Sequence, residues 1–224
     1  MRWPVLALVA VLGFASGPSA AEEKEALPLL FSDDFEHGAD HWVPTDKAAW
    51  KIAAGREGHV YSQFLASKYE PPYRSPFNFS LIRDLSVSDF TLTVKARSTR
   101  ADYDHRDLCV IFGYQDPAHF YYVHLGKKTD DHANQIFIVN GAARTKISTQ
   151  TSAGTPWDDA WHQIKLTRQA ATGDIRVFFD DFEKPVMTAR DTTFGAGQVG
   201  LGSFDDTGDW DDVKLWGKRA DGKP

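Results

Sequence analysis

The chain has 224 residues, with 25 Lys plus Arg against 31 Asp plus Glu and a formal net charge of −6. An acidic balance without a basic stripe excludes recognition of a phosphate backbone, so nucleic acid is not an expected partner. The single cysteine, Cys109, excludes an intrachain disulfide and reads as a buried, inert thiol within the apolar run Leu108-Cys109-Val110-Ile111-Phe112.

Residues 1–21 form a unit of their own: Arg2 is the only charge, 5–14 are apolar, and Ser19-Ala20-Ala21 offers a small-residue cleavage site. This pattern predicts a signal peptide cleaved near Ala21, and with it a secreted or periplasmic protein. A bilayer span needs about 20 apolar residues, and no second apolar segment follows, so no membrane span is expected. Residues 22–29 read as a leader, 30–217 as one domain and 218–224 as a polar tail. With 24 Asp against 7 Glu, the acidic residues favour turns and strand ends over helices.

Strand-like segments then recur with turns between them, and no stretch of 12 residues has helical periodicity. Phe31-Ser32-Asp33-Asp34-Phe35-Glu36 opens the domain. Residues 90–97 are the cleanest strand, with Phe90, Leu92, Val94 and Ala96 on one face and Thr91, Thr93, Lys95 and Arg97 on the other. Residues 108–114 and 119–125 flank the turn signal Gln115-Asp116-Pro117-Ala118 and predict a hairpin. A second hairpin joins 161–167 to 174–180 through Ala171-Thr172-Gly173, and Trp157 and Trp161, flanking Asp158 and Asp159, are expected in the core. The domain closes on the glycine-rich run from Gly195 to Trp216, which contains Trp210-Asp211-Asp212-Val213. These elements predict an all-β, two-sheet antiparallel jelly-roll sandwich.

The opening Asp-Asp-Phe, Trp161-His162-x-Ile164-x-Leu166-x-Arg168, Gly173-x-Ile175-x-Val177-Phe178-x-Asp180 and the Gly-x-Val-Gly-Leu-Gly-Ser ending resemble the concanavalin A-like jelly rolls. More narrowly, the chain is similar to the secreted bacterial domain labelled 3-keto-disaccharide hydrolase or family-16-like glycoside hydrolase. The resemblance covers about residues 30–217 and implies a fold that hosts lectins, laminin G modules, hydrolases and lyases alike. The Glu-x-Asp-x-x-Glu strand of true family 16 hydrolases, which supplies a retaining carboxylate pair, is absent, because only Glu36, Glu57, Glu70 and Glu183 follow the leader. The lyase strands Arg-x-Glu-Leu-Arg and Gln-Ile-His are absent as well.

With the first hairpin centred between Asp116 and Pro117, Leu108, Val110, Phe112 and Tyr114 lie opposite Leu125, Val123, Tyr121 and His119, and this apolar face is expected in the core. The other face carries His105, Asp107, Cys109, Ile111 and Gly113 opposite Lys128, Gly126, His124, Tyr122 and Phe120. The resemblance implies that this is the concave, glycan-facing side. There His124 and Tyr122 are candidate proton-transfer residues, with Asp107 and His105 beside them. Lys128, Arg106, Phe120, Lys127, Asn134, Gln135 and Arg74 are candidate ligand contacts, drawn from the face, its following loop and a Pro-rich segment near Tyr73. An ordinary polar sheet surface is the bland alternative.

No cofactor is required by these residues. Asp33, Asp34, Glu36 and Asp211, with Asp212, would bind a structural Ca2+ if the first and last strands meet, and Asp130, Asp131 and His132 form a weaker metal pattern. Three readings stay open: a monomeric poly- or oligosaccharide-binding protein, a glycan-cleaving enzyme using the same face, and a non-enzymatic protein-interaction module.

Overall fold

The structure, a computed structural model, describes residues 26–220; the expected signal peptide, the first residues of the leader (22–25) and the last four residues of the tail lie outside it. The strands in chain order are β1 (Leu29–Asp33), β2 (Trp42–Pro44), β3 (Trp50–Ala54), β4 (His59–Gln63) and β5 (Asn78–Ser98). β6 (Asp107–Asp116), β7 (His119–Gly126), β8 (Gln135–Asn140), β9 (Thr145–Lys146) and β10 (Ser148–Thr151) follow. β11 (His162–Gln169), β12 (Asp174–Phe179), β13 (Met187–Arg190), β14 (Gly197–Ser203) and β15 (Gly208–Arg219) complete the domain. The domain boundaries expected at 29 and 218 therefore fall inside β1 and β15. One 3-10 turn, Lys47–Ala49, is the only helical element among the described residues.

All pairings are antiparallel. One layer runs β2, the first half of β5, β14, β6, β7, β8 and β9; the other runs β10, β13, β12, β11, the second half of β5 and β15, with β1 and β4 on β15. The long β5 serves both layers, and Asp84, at φ +51°, lies where its pairing with β14 jumps from Ser86 to Leu81. A left-handed residue of this kind bends a strand out of one sheet and into the next.

The core lies between the layers. Phe90, Leu92, Val94 and Ala96 are buried as the period-2 pattern requires, facing Leu108, Val110, Phe112, Val123 and Leu125 of the other layer. Each of these Phe, Leu and Val side chains contributes roughly 1.5–3 kcal/mol of apolar burial. First and last strands meet, with Phe31 opposite Leu215 and Asp33 opposite Val213. Trp157 is buried, whereas Trp161 is half-exposed beneath the Arg97 guanidinium, 5.2 Å from its ring centroid.

The first hairpin follows the expected register from Asp107 opposite Gly126 to Phe112 opposite Tyr121, and then departs from it. Asp116, not Tyr114, faces His119. Gly113 adopts φ +58°, and the bulge it makes turns Tyr114 out of the core onto the second face, where its ring packs 5.8 Å from Phe79 and 5.6 Å from Phe120. A Cβ on Gly197 would stand 2.2 Å from the Gly113 carbonyl carbon, so the neighbouring strand needs its own glycine to approach the bulge.

Candidate functional site

The second face of the β6–β7 hairpin is not an open polar surface. Tyr122 is 0% exposed, Phe120, Asp107 and Arg106 are 1% exposed and His124 is 5% exposed. Phe79, Cys109, Ile111, Phe120, Tyr122, Phe137, Val139 and Phe204 make a second apolar cluster there, with Tyr69, Phe77 and Tyr114 packed against it. Its cover comes from distant parts of the chain. Arg144, from the β8–β9 loop, spreads its guanidinium 4.6 Å from the Phe137 centroid and 4.3 Å from that of Phe204. The same group donates to the Tyr122 hydroxyl at 2.6 Å and to the His132 carbonyl at 3.0 Å. Tyr122 is therefore a buried acceptor beneath Arg144, and burial holds its hydroxyl well above the ordinary tyrosine range.

At one end of this face a polar group of five residues assembles. Cys109 and His124 are cross-strand partners, and Asp107 precedes Cys109 by two residues on the same side. Asp107 Oδ2 accepts from Cys109 Sγ at 3.4 Å and from the Phe204 amide at 2.9 Å, and lies 3.2 Å from His124 Nε2. The other ring nitrogen, Nδ1, is 2.8 Å from the His132 carbonyl. A carbonyl only accepts, so Nδ1 carries a proton. The Phe204 ring stacks on His124 with centroids 5.7 Å apart.

The loop after β14 adds Asp205 and Asp206, whose carboxylate oxygens gather with that of Asp107 within 4.8 Å. Asp206 is buried; one of its oxygens accepts from the Asp107 amide at 2.9 Å and the other from the Tyr103 hydroxyl at 2.9 Å, with Arg100 Nε at 3.3 Å. Burial, and then the Asp107 charge, push Asp206 up to about 6, and the same causes raise exposed Asp205. Burial also holds the Cys109 thiol far above its ordinary range. Tyr103, 37% exposed, and Arg100, 5.8 Å from its ring centroid, form the solvent-facing rim. They line a cleft of about 330 Å³ with Thr99, Ala101, Asp102 and Thr207. A larger groove of about 1130 Å³ lies on the opposite layer, beside Thr91, Thr167, Arg176 and Trp216, and includes none of the candidate residues.

Of the candidates read from sequence, His124 and Asp107 meet here, and exposed His105 stands nearby, 3.8 Å from Asp130. The others have structural partners. Arg106 points away from the cluster and bonds Ser98 Oγ, the Ser98 and Asp158 carbonyls and Asp159. Lys127 pairs with Asp102 and Lys128 with Asp104. Asn134, at φ +53°, ties Thr129, Thr151 and Thr155 together, and Gln135 donates to the Asp130 carbonyl. Phe120 is core-like, and exposed Arg74 lies 5.6 Å from the Phe204 centroid.

The other acidic groups also have partners. Asp130 Oδ1 accepts the His132 and Ala133 amides, and Asp131 pairs with Lys146. Asp33 takes the Trp42 indole and the Phe35 amide, Glu36 takes His59, and Asp212 pairs with Lys95. Asp34 and Asp211 come within electrostatic reach of each other, and burial raises Asp211. Among the described residues, groups of three ligand atoms gather only around Asp107, so the carboxylates expected to hold Ca2+ do not form such a group. Arg144, Phe204, Asp205, Asp206, Arg100 and Tyr103 were not singled out from sequence. The Asp205-Asp206 pair after a glycine-rich strand looks like an ordinary turn, and only the topology brings it to Asp107.

Neither a protein-family model nor a curated protein sequence matches the chain. Solved structures do. The carbohydrate binding module CBM66 from Bacillus subtilis aligns with a TM-score of 0.55 at 20% identity, over 79% of this chain and 95% of that one. The fold is a concanavalin A-like jelly roll. Domain 4 of AbnA, a GH43 extracellular arabinanase from Geobacillus stearothermophilus, solved with arabinotriose, aligns at TM-score 0.55 and 9% identity over 87% of this chain and 95% of that one. The cellulose induced protein Cip1 aligns at TM-score 0.56 and 13% identity, covering 83% and 96%. Among the described residues of this jelly roll, no helix is long and apolar enough to cross a membrane.

Proposed function

We propose that this chain is a secreted saccharide-binding protein whose ligand sits at the rim of the Asp107 cluster, in the cleft beside Tyr103 and Arg100. The observation that carries this reading is the convergence of the exposed Tyr103 ring, the Arg100 guanidinium and Asp102 on one small concavity, with Tyr103 and Arg100 both anchored on buried Asp206. Aromatic faces stack on sugar rings, and ionised donors and acceptors bond vicinal hydroxyls more strongly than neutral groups do. Sugar-binding neighbours such as CBM66 and the arabinotriose-bound domain support the ligand class. Tyr122 lies beneath Arg144 and Phe120 packs against Phe79 and Tyr114, so neither residue belongs to this cleft.

The test is a titration of residues 22–224 with a panel of neutral and uronic oligosaccharides, beside Tyr103→Ala and Tyr103→Phe. Saturable binding lost in Tyr103→Ala and kept in Tyr103→Phe supports the proposal. Binding unaffected by Tyr103→Ala overturns the site, and appearance of shorter oligosaccharides during the titration replaces binding with cleavage.

A further inference from the structure

Three chemically different metal ligands converge at the buried end of the second face. Asp107 Oδ2 lies 3.2 Å from His124 Nε2 and 3.4 Å from Cys109 Sγ, and the three atoms lie within 4.8 Å of one another. In a tetrahedral zinc site with bonds of roughly 2.0–2.3 Å, neighbouring ligand atoms stand about 3.3–3.7 Å apart. The two measured separations match that spacing closely, and the third pair of ligand atoms is no more than 4.8 Å apart.

The imidazole supplies the second, independent observation. His124 Nε2 is buried and has no hydrogen-bond partner: the Asp107 oxygen is near it but off any hydrogen-bond line. Nδ1 is engaged by the His132 carbonyl, so Nε2 is the ring nitrogen left to meet a ligand in this buried place. A metal-binding histidine is held in this way, with its distal N–H fixed by a carbonyl so that tautomer and ring orientation are set in advance. Arg144 donates to the same His132 carbonyl and fixes its position.

We propose that Asp107, Cys109 and His124 form a binding site for a zinc-class divalent cation. The mixed sulfur, nitrogen and oxygen set selects such an ion over calcium, which takes oxygen ligands. On binding, the Cys109 thiol loses its proton to solvent and the Nε2 lone pair and the Asp107 carboxylate coordinate directly. The thiolate and carboxylate charges then balance the dication, and the carboxylates of Asp205 and Asp206 gain a positive neighbour. This site is independent of the saccharide proposal: sugar can fail to bind while the metal binds, and the reverse.

The experiment is titration of the metal-stripped full chain with Co2+, read by absorbance, followed by competition with Zn2+. The expected result is a thiolate-to-cobalt charge-transfer band saturating at one equivalent, displaced by zinc, and a zinc-dependent rise in melting temperature. Because the chain has one cysteine, such a band reports Cys109 alone. Cys109→Ser should abolish the band, and His124→Gln should weaken cobalt binding at least about tenfold, each judged against its own metal-free melting curve. Absence of the band in the natural sequence overturns the proposal, as does a band whose affinity is unchanged in a folded His124→Gln. Should His124→Gln fail to fold, Asp107→Asn takes its place under the same criterion.

Discussion

Replacing Gly113 with Ala tests the bulge that separates the core from the second face. Gly113 sits at φ +58°, where a side chain costs about 1–2 kcal/mol through the clash of Cβ with its own backbone. The added Cβ would also stand 3.0 Å from Tyr121 Cδ2. That ring cannot yield freely, because it is fully buried, stacks 5.1 Å from Phe112 and is tied through its hydroxyl to Asp191. A total loss of about 2 kcal/mol follows, which in a domain of this size lowers Tm by roughly 4–8 °C. Urea denaturation followed by tryptophan fluorescence measures it, with an unchanged slope expected. Gly113→Asn should lose less, since Asn tolerates the left-handed region better. Had the hairpin kept the regular register, Ala would remove only unfolded-state freedom and stabilise by about 0.4–1 kcal/mol. A Gly113→Ala variant as stable as the parent would therefore refute the bulge.

Other consequences follow from single contacts. Burial opposes ionisation of Asp191, but the Tyr121 hydroxyl and the Thr193 amide outweigh it and hold the carboxyl below its ordinary value. Its folded pKa is depressed, so its contribution is complete above the ordinary carboxylate range and is lost as pH falls through the folded value; Tyr121→Phe should flatten the acid limb of a Tm-versus-pH curve. Arg144→Met leaves the buried Tyr122 hydroxyl without its donor and should cost about 1–3 kcal/mol in chemical denaturation, and adding Tyr122→Phe should recover part of that loss. A double variant no more stable than Arg144→Met alone would contradict this. Cys109, fully buried, should resist a thiol reagent in the folded protein and react at one equivalent per chain once unfolded; rapid labelling of the native form would show that the second face opens.

Most of the sandwich was legible because its signals are local. The alternation in residues 90–97 and the turn at 115–118 fixed which hairpin residues enter the core as far as Phe112 opposite Tyr121. The break came at Gly113, where one positive φ moves Tyr114 to the other side, and nothing in the alternation of 108–114 announces it. The site was half legible. Asp107, Cys109 and His124 share one face by strand periodicity alone, yet Cys109 read as an inert apolar filler. What turned an expected open surface into a buried cluster is long-range: Phe204, Arg144 and Phe77 arrive from loops and strand ends that no short-range pattern connects to β6 and β7. Asp205 and Asp206 reach Asp107 across roughly half the chain because β14 lies beside β6. Surface candidates such as Lys127 and Lys128 had neighbouring carboxylates in the 102–104 loop that sequence spacing alone does not bring together.

The most direct measurement of saccharide recognition is calorimetric titration of the purified chain with an oligosaccharide panel, repeated with Tyr103→Ala at matched Tm. The rim assignment predicts saturable binding to at least one member and a loss of about tenfold or more on removing the ring. No heat from any saccharide, or an affinity untouched by Tyr103→Ala, would contradict it.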